Sequence, residues 1–108
     1  MAGFTVGADR VDCRSWIQYN GTNASIRDDY NVASVTDHAE GQHSVVYTTT
    51  MPNDDYCVTN TTGTIDSENA SGGMYIHSMT TGYVRTYNTN HADQSKDRKV
   101  CCIAIFGA

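Results

Sequence analysis

The residues of this chain best able to do chemistry are its four histidines, four cysteines and twelve carboxylates. A zinc site needs several His, Cys, Asp or Glu side chains to converge. His43 and His77 fall in predicted strands, His38 and His91 in predicted loops, and no spacing pairs them. Each is expected to be solvated or hydrogen-bonded, with no metal and no cofactor. Cys13, Cys57, Cys101 and Cys102 form no C-x-x-C and no zinc-finger spacing. Adjacent strand residues point to opposite faces, so Cys101 and Cys102 should sit in different environments. Buried free thiols are the simpler reading. A single disulfide from Cys13 or Cys57 to one of the adjacent pair is the alternative. Asn53-Asp54-Asp55 and Asp66-Ser67-Glu68-Asn69 offer oxygen ligands but lack the calcium-loop pattern. Ordinary turn chemistry explains both. Asp28 or Asp29 facing Asp66 or Glu68 would make a carboxylate pair for glycoside hydrolysis. There is no G-x-S-x-G elbow, and a thiol such as Cys57 in an apolar strand is usually inert. The expectation is therefore a protein without catalytic residues.

The aromatic residues suit binding better. Trp16 sits mid-strand and reads as core. Tyr75, Tyr83 and Tyr87 cluster around a predicted hairpin and are the candidate partner-binding residues. Exposed aromatics make platforms for sugars or proteins, and core or subunit packing is an equal reading of each. The net charge is −5 and no Lys/Arg cluster exists, which argues against nucleic-acid binding, since that surface needs positive charge to displace counterions. No run of apolar residues is long enough to cross a bilayer as a helix, so membrane insertion is not expected. The first residues lack a basic segment followed by an apolar one, so no secretory signal is read. The Asn-x-Ser/Thr sequons at Asn20, Asn23, Asn60 and Asn69 then read as a by-product of Asn- and Thr-rich turns.

The elements that must position these residues read as strands. With 108 residues, the chain is one domain. It contains no leucine and seven tyrosines, a composition that disfavours helices and favours pleated surfaces. Strands are predicted at 13–19, 24–27, 30–35, 43–49, 56–61, 74–79, 83–88 and 100–106, with a short edge strand at 63–66. In the first, Ser15, Ile17 and Tyr19 share one face and Trp16 and Gln18 the other. Asn20-Gly21-Thr22 supplies a turn through residues that tolerate positive φ. A helix over 26–35 competes, because Ile26, Tyr30 and Ala33 share helical spacing. Asp28, Asp29, Asn31 and the β-branched Val32 and Val35 argue against it. Residues 37–42 read as a polar turn, and 62–73 and 89–97 as polar loops. The nearly continuous apolar run 100–106 suits a strand buried on both faces or lying at a subunit contact. Residues 1–12 read as an arm or linker before a single domain at 13–108. About seven to eight short strands separated by turn signals predict an antiparallel, jelly-roll-like β-sandwich.

The order of several segments resembles a module of tailed-phage fibre and virion proteins. Ser15-Trp16-Ile17-Gln18-Tyr19-Asn20-Gly21-Thr22 corresponds to its AWVNF-(N/D)-GT segment. Ile26-Arg27 follows as the IR segment, and Asn31-Val32-Ala33-Ser34-Val35-Thr36-Asp37 as NVSSITD. Gly41 to Tyr47 resembles its G-x-Y-x-V-x-F strand, with His43 where an aromatic is common. Met51-Pro52-Asn53-Asp54-Asp55-Tyr56 matches its Met-Pro turn, and 100–107 its closing strand. Residues 62–97 match nothing in the module. The resemblance implies a β-sandwich, a virion location after assembly in a host cytoplasm, a homotrimer, contacts with other virion proteins, and no catalytic residues. A tail-fibre domain binding a host-surface glycan is the leading expectation. A capsid decoration or head-fibre protein that stabilises the particle is the alternative.

Overall fold

The computed structural model describes every residue except 1, 2, 7, 8, 64–72, 91, 93 and 108, with the backbone alone described at 3–6 and 9–11. The described residues form nine strands and no helix: β1 (Gly3–Val6), β2 (Asp9–Asn20), β3 (Ser25–Tyr30), β4 (Val32–Ala39), β5 (Gln42–Tyr47), β6 (Tyr56–Gly63), β7 (Gly73–Met79), β8 (Tyr83–Thr89) and β9 (Val100–Gly107). The expected β-sandwich is what folds. One sheet runs β1-β2-β9-β6, with β3 also on β2; the other runs β4-β5-β8-β7. Every pairing is antiparallel. The chain passes between the sheets after β3, β5, β6 and β8.

The core lies between the sheets. Ile17 and Tyr19 of β2, Val45 and Tyr47 of β5, Val84 of β8 and Cys101, Ile103 and Ile105 of β9 are buried. They sit at alternate positions because one face of each strand turns inward. Each such side chain contributes about 1.5–3 kcal/mol on burial. Tyr56 bridges the layers at one end, its hydroxyl donating to the Thr80 carbonyl at 2.8 Å.

The turns carry much of the specificity. Asn20 Oδ1 accepts from the Thr22 amide at 2.9 Å, and Asn23 Oδ1 accepts from the Ser25 amide at 2.9 Å. The positive φ in this turn belongs to Ala24, at 59°. Gly21 is needed for space instead: a Cβ there would lie 2.6 Å from the Arg98 carbonyl, to which the Gly21 amide donates at 2.7 Å.

Several expectations are corrected. Trp16 is 38% exposed and is not core. It alternates with Ser15, Ile17 and Tyr19, and their face is the one the second sheet covers. β2 starts at Asp9, four residues ahead of the predicted strand, because 9–12 pairs with β1. β4 runs to Ala39, so the predicted turn at 37–42 shrinks to residues 40 and 41. β9 is not buried on both faces: Cys101, Ile103 and Ile105 are buried, while Val100, Cys102, Ala104 and Phe106 are half-buried. All four cysteines are free thiols, and of them only Cys101 is buried; Cys57 is exposed. Burial pushes the Cys101 thiol above its ordinary pKa, which keeps it protonated and unreactive.

Candidate recognition face

From Tyr83 to Asn88, β8 alternates between its two sides. Val84, Thr86 and Asn88 are buried, so Tyr83, Arg85 and Tyr87 stand on the solvent side of the β4-β5-β8-β7 sheet. Across from them on β5 are Val46, Ser44 and Gln42 respectively. On β7, Tyr75 stands opposite Tyr87 and Ser78 opposite Arg85. The structure therefore brings Tyr75, Tyr83 and Tyr87 onto one face. Tyr75 and Tyr87 stack with ring centroids 5.3 Å apart and planes 28° apart. Tyr83 stands at the other end of β8, about 13 Å further along the strand.

Polar side chains surround the stacked pair. Arg85 donates from Nη2 to Gln42 Oε1 at 3.1 Å, which holds both side chains across the β5–β8 seam. His38 Nε2 lies 2.8 Å from Ser44 Oγ. Loss of water and then the Arg85 charge hold His38 below its ordinary imidazole pKa, so at neutral pH it is an uncharged hydrogen-bonding ring. Sequence reading missed Gln42 and Arg85, and it gave His38 a hydrogen-bonded or solvated ring but no place on this face. Arg85 was within reach, since alternation places it between Tyr83 and Tyr87. Gln42 and His38 depend on pairings between strands distant in sequence.

This face offers an aromatic stack beside a planar amide and a guanidinium. An aromatic face takes up the C–H side of a sugar ring. Amide and guanidinium groups match adjacent hydroxyls with paired donors and acceptors.

The remaining candidate residues lie elsewhere. His43 is wholly buried rather than solvated. It packs edge-on against Tyr19, with centroids 5.4 Å apart. Its Nε2 lies 3.8 Å from Asp37 Oδ1. His77 is exposed at a bulge in β7, and His91 lies outside the described residues. Among the described residues no group of three or more His, Cys, Asp or Glu gathers as a metal site. Asn53 Oδ1 accepts from the Asp55 amide at 2.8 Å, the ordinary turn chemistry expected there. Asp66 to Asn69 lie outside the described residues, and so do most of the predicted edge strand at 63–66 and of the loop at 62–73. The other polar loop, 89–97, folds back on the core through Lys96 N to the Asn88 carbonyl at 2.9 Å.

No protein-family model, curated protein or solved structure matches the chain.

Proposed function

We propose that this is a virion structural protein of a tailed phage, a tail-fibre receptor-binding type of domain that binds a host-surface glycan without catalysis. The observation that carries the reading is the stacked Tyr75–Tyr87 pair flanked by Gln42 and Arg85 on an open sheet face. The order of segments from Ser15 to Tyr56, which resembles the fibre module, supports the virion location. The test is binding to immobilised bacterial lipopolysaccharides and capsular polysaccharides, measured by surface plasmon resonance. At least one is expected to bind, and Tyr87→Ala is expected to weaken it tenfold or more, about 1.4 kcal/mol. Asp54→Ala, in the exposed turn between β5 and β6, is expected to leave it unchanged. Equal binding by the Tyr87 variant, or no binding to any of these surfaces, rejects the reading.

The same proposal includes assembly as a homotrimer. The outer side of the β2-β9-β6 sheet sets Trp16, Ala104 and Thr59 in one row across the strands. Half-buried Cys102 and Phe106 flank it on β9. An apolar row of this kind suits a repeated contact in a closed ring of identical subunits. Native mass spectrometry at micromolar concentration is expected to give a trimer that Trp16→Glu converts to monomer. A wild-type monomer at that concentration contradicts the assembly.

A further inference from the structure

A second concave feature opens where the β3–β4 corner meets the start of β2 and the segment after β5. Its volume is about 630 Å³, within the range of about 300–1,000 Å³ for ligand pockets. Arg14, Asp29, Tyr30, Thr48, Thr49 and Met51 line it. It shares no residue with the tyrosine face.

The walls of this groove are held in place before any ligand arrives. Asn31 has a positive φ of 58°, a backbone state uncommon outside glycine and most tolerable for Asn. Its side chain ties both sides together. Nδ2 donates to the Arg14 carbonyl at 3.1 Å and to the Thr49 carbonyl at 3.1 Å, and Oδ1 accepts from the Thr49 amide at 2.7 Å. Ser15 Oγ donates to the Tyr30 carbonyl at 3.0 Å, fixing the backbone that carries the aromatic wall. Arg14 Nε donates to the Gly107 carbonyl at 2.9 Å, which orients the guanidinium. Three side-chain hydrogen bonds thus fix the left-handed Asn31.

We propose that this groove is a second binding site, for one or two units of a neutral saccharide. Among the described residues Tyr30 is the most exposed large apolar side chain, at 56%, and offers its ring to a sugar's C–H face. Asp29 accepts from hydroxyls, Arg14 donates to them, and the consecutive threonines do both. Asp29 and Arg14 line the groove with opposite charges, which favours an uncharged ligand over an anion. The proposal concerns the same class of ligand as the tyrosine face but not the same residues.

Amide chemical-shift mapping on the isotope-labelled protein tests it, with maltose, cellobiose, lactose and N,N′-diacetylchitobiose as probes at millimolar concentration. At least one is expected to shift Arg14, Tyr30, Asn31, Thr48 and Thr49 in a saturable manner. Tyr30→Ala and Asp29→Ala, both exposed positions, are each expected to weaken that response tenfold or more. Tyr87→Ala is expected to leave it intact, which separates this site from the tyrosine face. The proposal is overturned if no disaccharide shifts these residues, or if the shifts persist unchanged in both groove variants.

Discussion

Gly41→Ala is expected to destabilise the protein by about 3 kcal/mol or more, a large fraction of the total for a domain of this size. Gly41 has a φ of +73°, and an added Cβ would lie 2.7 Å from Lys96 N, 2.8 Å from the Asn88 oxygen and 2.9 Å from the Lys96 oxygen. The left-handed backbone costs about 1–2 kcal/mol for an L side chain. All three obstacles are backbone atoms, so no rotamer change relieves them. To make room, the end of β8 and the 95–97 segment must move away. That strains the bonds from Asn88 N to the Gly41 carbonyl at 2.7 Å and from Lys96 N to the Asn88 carbonyl at 2.9 Å, each about 1 kcal/mol. Gly82→Ala is the control, because its Cβ would meet nothing nearer than Thr80 Oγ1 at 3.9 Å. Urea denaturation of both variants measures the difference. A Gly41 variant as stable as the Gly82 variant would show that the loops yield freely.

Stability is also expected to fall steeply above about pH 10. Tyr19 and Tyr47 carry phenols that ordinarily ionise near 10.0, and both are raised well above it. Burial is the first cause for each. For Tyr19 the neighbouring Cys101 adds to it, and for Tyr47 the contact with Tyr56 does. Below pH 10 both tyrosines are protonated whether the chain is folded or not, so their contribution is fully present. Above it the unfolded chain releases these protons while the folded chain keeps them. Folding then binds protons, and each further pH unit removes about 1.4 kcal/mol per tyrosine. Urea midpoints measured upward from pH 9 should decline, and Tyr19→Phe should decline less steeply. A wild-type midpoint that stays level through this range would show that neither phenol is shielded.

Strand positions were legible because alternation and β-branched residues follow directly from a half-buried sheet. β4 was read too short for a physical reason. It is an edge strand, and its Thr36, Asp37 and His38 are exposed, a composition that protects edges but imitates a turn. Which side of β2 becomes interior was not legible. Ser15, Ile17 and Tyr19 against Trp16 and Gln18 is a correct partition, but the covered side depends on where β5 and β8 lie. The larger ring of Trp16 pointed the wrong way. His43 is the converse, a polar residue placed in the core because it lies on the Val45 and Tyr47 side of β5. For the recognition face, the three tyrosines were visible as types in adjacent strands. Their stacking depends on the register that sets Tyr75 opposite Tyr87. Gln42 enters only through the β5–β8 pairing.

The way β2 and β9 run together has a mechanical consequence. They are antiparallel, and Cys13 pairs with Phe106 at one end while Tyr19 pairs with Cys101 at the other. β2 therefore enters the central seam at the end where β9 leaves it. Tension applied between residues 13 and 106 loads that seam at its edge. The inter-strand bonds then open one after another, as a zipper does, rather than sharing the force as they would in shear. The seam resists little along that line. It resists far more when residues 13 and 101 are pulled apart, because these lie at opposite ends of the seam and the force then runs along the strands and is shared by all their bonds.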